Sequence, residues 1–295
     1  MKKILSYFSL IKFSHTIFAL PFAFIGFILA IKNKEVSHEA NFTTGELLEK
    51  LLLMLLCMIF ARSTAMAFNR YIDRKYDALN PRTQSREIPA GTISTAAALT
   101  FTMVAAVLFM TTTYFINSIC FYLSPIALLV VLGYSYTKRF TAFCHLVLGI
   151  GLGLSPIGAY LTLSGSFAWL PILFSLAVVF WVSGFDIIYA LQDESFDRQN
   201  NLKSVPAALG GNNALMISRL LHTCSATFIV IAGFYGQFHF VYWCGAILFC
   251  FFLFYQHRLV RVNDLSRVNL AFFTLNGIAS IVFGCITILA VVLNL

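Results

Sequence analysis

Two aspartates four residues apart, Asp73 and Asp77, stand in "NRYIDRKYD" directly after an apolar stretch. Asp193 and Asp197 repeat that spacing in "YALQDESFD", at the end of another. Residues i and i+4 share a helix face, and like charges so placed destabilise a helix by roughly 0.2–0.5 kcal/mol unless a cation lies between them. Four such carboxylates suit a hard, oxygen-loving ion. Mg²⁺ commonly binds through one or two carboxylates together with substrate phosphate oxygens, and no His/Cys cluster competes for a softer metal. The neighbouring loops carry Arg70, Arg74, Arg82, Arg86, Lys138, Arg139 and Lys203. Carboxylates, Mg²⁺ and basic residues together make a diphosphate site. The chain has no GxxxxGK phosphate loop, which argues against a nucleotide. The plainer reading is a pair of solvated helix ends, salt-bridged to Arg74, Lys75 or Arg198.

Deeper in the apolar stretches lie two further charges. Arg62 is seven residues before Asn69 and eleven before Asp73, which puts the three on one helix face. Asp186, Tyr189, Asp193 and Asp197 form a second stripe by the same arithmetic. An arginine within a membrane span is a functional candidate, and its planar fork matches a carboxylate at two points. Arg62 therefore suits an acceptor bearing a carboxylate. The alternative is that Arg62 and Asp186 neutralise each other between helices. His145 and His222 have no ligand partner at helical spacing and read as structural, as does His15; Pro21, Pro125, Pro156 and Pro171 read as kinks.

The elements that must position these residues are membrane helices. Of 295 residues 59% are hydrophobic and 11% charged, whereas a soluble domain is close to half apolar and about a quarter charged. Segments near 16–31, 47–68, 93–114, 118–136, 143–163, 168–190, 214–235, 238–255 and 270–293 each approach the ~20 residues a spanning helix needs. The expectation is an all-α integral membrane protein, one domain over 1–295, with nine spanning helices around a central cavity. The recurrence of the aspartate motif four helices on suggests two four-helix halves plus one. Lys2, Lys3 and Lys12 fall on the same side as the basic loops after the second, fourth, sixth and eighth spans. The connections "FINS", "SGSF" and "GQFH" carry no Lys or Arg. The positive-inside rule then puts the N-terminus and both aspartate motifs in the cytoplasm and the C-terminus outside, in what reads as a bacterial plasma (inner) membrane. The net charge of +8 is a topology signal with the lipid bilayer as partner, and no nucleic acid is implied. The seven cysteines form no CxxC pair and read as small buried hydrophobes.

A diphosphate handled at a membrane face, in a bundle with 31 phenylalanines, points to a lipid diphosphate whose isoprenoid tail the bundle can hold. Aromatic faces can also stabilise an allylic cation. At this point "NRYIDRKYD", "RTQSREIPAG", "KRFT" and "DIIYALQDESFDRQNNLKSVPAALG" resemble the UbiA superfamily of intramembrane aromatic prenyltransferases, over nearly the whole chain. The resemblance implies Mg²⁺ bridging both motifs to a polyprenyl diphosphate, with the allylic cation attacking an electron-rich aromatic carbon. It implies metal ligation by Asp73, Asp77, Asp193 and Asp197, with Asn69 in the first motif, and diphosphate contacts from Lys138, Arg139 and Lys203. Arg62 and Asp186 resemble the 4-hydroxybenzoate branch, with Asp186 orienting or deprotonating the phenol, and Arg70 and Tyr189 beside the substrates. The second motif has "DESFD" where relatives often carry a further aspartate. The aromatic acid acceptor is 4-hydroxybenzoate-like, for ubiquinone synthesis, or 1,4-dihydroxy-6-naphthoate, on an alternative menaquinone route. A secondary transporter would explain Arg62 and Asp186 but not four aspartates among phosphate-binding cations. The Asp-Gly…Ala-Arg string of phospholipid phosphotransferases is absent.

Overall fold

The computed structural model of the chain describes residues 6–7, 9–10, 18–33 and 42–293. Lys2, Lys3, Lys12 and His15 lie outside them, as do residues 16–17 of the first expected span. In chain order the helices are α1 (Leu20–Lys32), α2 (Thr44–Leu79), α3 (Thr95–Ile116), α4 (Ser118–Thr137), α5 (Cys144–Ser164) and α6 (Trp169–Ala190). They continue with α7 (Glu194–Gln199), α8 (Val205–Leu209), α9 (Gly211–Tyr235), α10 (Phe240–Leu259) and α11 (Asn276–Leu293). Among the described residues, eight helical segments are long and apolar enough to cross a membrane, and α1 is a ninth, shorter apolar helix. No strand forms among them beyond one isolated bridge between Arg261 and Asp264.

Three departures from regular helix shape the functional end. The second span was expected to end near residue 68, yet α2 runs 36 residues to Leu79. At 1.5 Å per residue it is about 54 Å long, well beyond a ~30 Å hydrocarbon core. Its start is fixed by a capping box, in which Thr43 and Glu46 satisfy each other's backbone N–H groups. After Gly45 neither Gly nor Pro interrupts it until Pro81, which bars helix at the preceding residue. The first motif therefore rides on a rigid extension of a spanning helix.

The second motif is built differently. Helix α6 ends at Ala190, a 3-10 turn covers Leu191–Asp193, and α7 resumes at Glu194. A 3-10 turn advances each residue by about 120° rather than 100°, so the single α-helical stripe expected from Asp186 to Asp197 is wound tighter in its middle. The last span also begins irregularly, with a π-helical segment over Leu270–Leu275. Asn276 stabilises that loosened turn, its side-chain amide donating to the Ala271 and Phe272 carbonyls while its oxygen accepts from Trp181 Nε1 at 3.0 Å. Pro21 sits in the first turn of α1 and Pro171 near the start of α6, so these two begin helices rather than kink them, while Pro125 and Pro156 lie inside α4 and α5.

The core is aromatic. Phe22 of α1, Trp181 of α6, Phe249 of α10 and Phe283 of α11 pack ring to ring at centroid distances of 5.1–6.2 Å. Helices α5 and α6 approach closely because Gly149 has no side chain: a Cβ there would collide with the Val179 carbonyl and Ser183 Oγ. Residues such as Leu129, Met216, Ile247 and Phe251 are exposed and face where lipid would be.

Candidate active site

Each of the four motif aspartates lies against a basic residue from a loop or helix end. Asp73 Oδ2 accepts from Asn69 Nδ2 at 3.0 Å, one turn earlier on α2, and its Oδ1 lies 3.3 Å from Arg139 Nη2. Asp77 Oδ1 accepts from Arg86 Nη1 at 2.6 Å. Arg82 forks onto Asp193, Nε to Oδ1 at 3.0 Å and Nη2 to Oδ2, while Asn80 Nδ2 adds a third bond at 3.0 Å. Asp197, fully buried, is 2.7 Å from Lys138 Nζ. The solvated-end reading is therefore half right. The aspartates are ion-paired, but with Arg82, Arg86, Lys138 and Arg139, whereas Arg198 pairs with Glu194.

These contacts tie the two motifs to each other. The loop after α2 supplies Asn80 and Arg82 to the second motif, more than 110 residues on, and the end of α4 supplies Lys138 to the second and Arg139 to the first. Arg82 also donates to the Tyr189 hydroxyl at 2.8 Å and lies 5.1 Å from its ring centroid. Burial lowers the tendency of Arg82 and Lys138 to hold a proton, but the Asp193 and Asp197 carboxylates outweigh it, and both cations titrate above their ordinary values. Both stay charged at neutral pH.

All four carboxylates line one cavity of about 290 Å³, together with Asn69, Arg70, Arg82, Arg86, Lys138, Asp186 and Tyr189. Arg70 is buried, and its Nε has no hydrogen-bond partner among the described residues. Arg139 reaches Asp73 from outside the lining. Lys203 does not line the cavity: its side chain is exposed, and its backbone N–H donates to the Lys138 carbonyl at 2.6 Å. It braces the loop that carries Lys138.

Above the polar cavity is an apolar chamber of about 390 Å³ between α2, α3, α4 and α5. Arg62, Met66, Tyr134, Leu148 and Leu152 line both spaces, so Arg62 sits where polar gives way to apolar. It does not neutralise Asp186. Asp186 Oδ2 instead lies 2.7 Å from Nδ1 of His145, whose Nε2 accepts from the Val205 backbone N–H at 3.3 Å. With Nε2 an acceptor, the proton of a neutral imidazole is on Nδ1 and is donated to the carboxylate.

The donor set fits a hard divalent cation. Every candidate ligand is a carboxylate oxygen, and the buried Asp77 Oδ2 and Asp197 Oδ2 have no hydrogen-bond partner among the described residues. The described residues contain no ready-made group of three metal-ligating side chains. A metal here would thus be held by carboxylates drawn from both motifs and completed by phosphate oxygens, which is how Mg²⁺ ordinarily binds.

Sequence reasoning left out two groups that the fold brings in. His145 showed no helical-spacing partner because its partner is 41 residues away on α6. Asn80, just past the end of α2, reaches Asp193 from 113 residues away. The repeat of the four-residue spacing in Arg82 and Arg86 was the available signal that this loop mirrors the aspartates.

The profile of the UbiA prenyltransferase family matches residues 17–278. A 4-hydroxybenzoate octaprenyltransferase from Tolumonas auensis is 29% identical over 235 residues, 79% of this chain and 82% of that protein. One from Enterobacter sp. (strain 638) is 30% identical over 222 residues, 75% and 76% of the two chains. Among solved structures, the apo form of a UbiA homologue from Aeropyrum pernix K1 superposes with a TM-score of 0.81 and 28% identity, covering 93% of this chain and 97% of that one. A UbiA homologue from Archaeoglobus fulgidus bound to GPP and Mg²⁺ shares the fold, with a TM-score of 0.74 and 20% identity over 97% and 99% of the chains.

Proposed function

Since the chain belongs to the UbiA prenyltransferase family, we propose that it transfers a polyprenyl group from polyprenyl diphosphate to an aromatic carboxylic acid of the 4-hydroxybenzoate type, with Mg²⁺, in quinone biosynthesis. The observation that carries this reading is the meeting of two aspartate motifs and their four cations in one cavity that joins an apolar chamber at Arg62. The relatives from Tolumonas and Enterobacter bear the corresponding name, and the Archaeoglobus protein of the same fold binds GPP and Mg²⁺.

Asp73, Asp77, Asp193 and Asp197 would hold the metal, whose chemistry is to neutralise diphosphate charge as it builds on the leaving oxygen. Lys138, Arg139, Arg82 and Arg86 then exchange carboxylate partners for phosphate oxygens, keeping the cavity close to neutral as substrate enters. The tail lies in the apolar chamber. The bond between the allylic carbon and the diphosphate oxygen breaks with its electron pair going to diphosphate. The Tyr189 and Phe272 rings, packed together at 4.2 Å between centroids and both lining the cavity, offer an aromatic wall to the carbon left positive. Arg62 holds the acceptor carboxylate in two-point geometry. Asp186, kept anionic by the Nδ1–H of His145, takes the phenol proton, so that the ring carbon is electron-rich when it forms the new C–C bond; that carbon then loses its proton to the released diphosphate, and Asp186 returns its proton to the phenol oxygen. The cavity opens to the cytoplasm, the side favoured by the basic loops.

The test is prenyl transfer by the purified protein in detergent with Mg²⁺ and a polyprenyl diphosphate, offering 4-hydroxybenzoate and 1,4-dihydroxy-6-naphthoate side by side, since Arg62 would hold either carboxylate. Turnover of 4-hydroxybenzoate, abolished by EDTA, is expected. Turnover of the naphthoate alone would reassign the pathway. Diphosphate binding without turnover of either acid would reject the acceptor, and absence of diphosphate binding would reject the reading altogether.

A further inference from the structure

A groove runs between α9 and α10, remote from the cavity's lining. Arg219 and His222 stand on one wall, and Phe254, His257 and Arg258 on the other. It continues under the 260–267 loop, where Arg261 and Arg267 join it. The two recesses share Asn212, Arg258, Arg261 and Val262 and measure about 810 and 580 Å³. Arg219, Arg258, Arg261 and Arg267 are all exposed. Among the described residues, none of the four forms a salt bridge. The acid in the lining, Asp264, is engaged by the Ser266 hydroxyl at 2.6 Å. The mouth of the groove therefore holds four guanidinium groups against one carboxylate, that of Asp264, which faces Arg267 and Arg261 and leaves the cluster with a net positive charge.

Away from the mouth the walls become apolar. Cys250 lies eight residues before Arg258, about 12 Å down α10 at 1.5 Å per residue, and Ala226 faces the same space. Phe254 is exposed, with the Arg258 guanidinium 5.0 Å from its ring centroid. The floor is fixed by a relay in which His222 meets His257 at 2.9 Å and the Trp181 carbonyl at 3.2 Å.

We propose that this groove binds the headgroup of an anionic phospholipid, with its phosphate among Arg219, Arg258, Arg261 and Arg267 and an acyl chain along Phe254 and Cys250. Arginine forks match phosphate oxygens at two points, and basic pockets between transmembrane helices at the membrane interface take such headgroups. The apolar half selects a lipid over a free anion, which would leave that wall unused. It also selects a lipid over a soluble acidic partner, which cannot reach Cys250 inside the α10 span. Occupancy bears on the catalytic end. Gly211 is wedged between Val262 of the basic loop and Glu194, the residue after Asp193, so tightly that a Cβ there would press on both. A lipid that pins the 260–267 loop thereby steadies the second aspartate motif.

The experiment is native mass spectrometry of the delipidated full-length protein in neutral detergent. It is titrated with phosphatidylglycerol or phosphatidylcholine, with inorganic phosphate and an oligoglutamate peptide as competitors. Retention of phosphatidylglycerol alone is expected, displaced by neither competitor. R258Q/R261Q should weaken it about thirtyfold, from about fivefold per arginine near a membrane surface. Arg219→Gln, on the other helix, should weaken it about fivefold and serves as the readout should the double variant fail to fold. Equal retention of phosphatidylcholine, or wild-type affinity in Arg219→Gln, overturns the proposal. Displacement by phosphate would reduce the groove to an anion site, and displacement by the peptide would assign it to an acidic protein; either also overturns it.

Discussion

Replacing Lys138 by Met separates the structural from the chemical duty of the cations. Lys138 Nζ is 2.7 Å from Asp197 Oδ1, and the Asp197 side chain is 0% exposed. Removing one partner of a buried ion pair costs about 3–5 kcal/mol because the other charge is left uncompensated. The Lys138 side chain is 33% exposed, so water screens the pair and the expected loss falls to about 2 kcal/mol. Asp197→Asn should cost less, about 1 kcal/mol, because Lys138 can turn towards water and only an amide is left unmet. The double variant should recover much of the Lys138→Met loss. Mg²⁺ adds a second readout: it should raise the midpoint of Lys138→Met more than that of wild type, since no lysine competes for Asp197, and should have little effect on Asp197→Asn. Thermal denaturation in detergent, followed by the folded fraction on size exclusion, measures all four proteins. The pH sign follows from the raised affinity of Lys138 for its proton. The stabilisation is complete below the ordinary lysine value of 10.5 and is lost as pH rises through the higher folded value. The gap between wild type and Lys138→Met should therefore be constant from pH 6 to 9 and close above that value. Wild-type stability in Lys138→Met, or a larger loss in Asp197→Asn than in Lys138→Met, would refute the reasoning.

Arg62→Ala should raise the KM for the aromatic acid more than that for the prenyl diphosphate; equal shifts in steady-state kinetics would move Arg62 into the diphosphate site or into folding. His145→Ala should lower kcat by roughly tenfold or more, a part of the 10²–10⁴-fold that general-base assistance typically supplies, since Asp186 itself remains. His145→Asn, which keeps a donor where Nδ1–H stands, should restore part of it, and the KM for the diphosphate should change little in either. Gly149→Val should destabilise the packing of α5 on α6 by about 2 kcal/mol or more, because beside the Ser183 hydroxyl it meets the Val179 backbone carbonyl, which cannot turn aside; an unchanged midpoint would contradict that packing.

What the sequence made legible was whatever depends on composition and on local spacing. Apolar runs foretold the spanning segments, and the i, i+4 rule correctly put Asp73 and Asp77 on one face of α2, where a helix without breakers carries them past the membrane core. The same rule brought Asp193 and Asp197 to one cavity wall, but it could not foretell the 3-10 turn at Leu191–Asp193, whose last residue Asn80 and Arg82 meet from far along the chain. Ion-pair partners were illegible for the same reason. Arg74 and Lys75 are nearer in sequence to the aspartates, but Tyr71 draws Arg74 away, its carbonyl accepting at 2.6 Å and its ring 4.6 Å from the guanidinium. Lys203 was grouped with the diphosphate contacts by its motif, yet the turn after α7 points it outwards while its backbone holds Lys138. His145 could not be recognised from spacing at all, since only the packing of α5 on α6 brings it to Asp186.

The central claim is that two motifs from separate parts of the chain jointly hold one metal–diphosphate unit. It is tested most directly by the binding of a non-cleavable thiolo analogue of a prenyl diphosphate, with and without Mg²⁺, to wild type, Asp77→Asn and Asp197→Asn. The account predicts Mg²⁺-dependent binding in wild type and its loss in both variants, one from each motif. Undiminished Mg²⁺-dependent binding in either variant would contradict it.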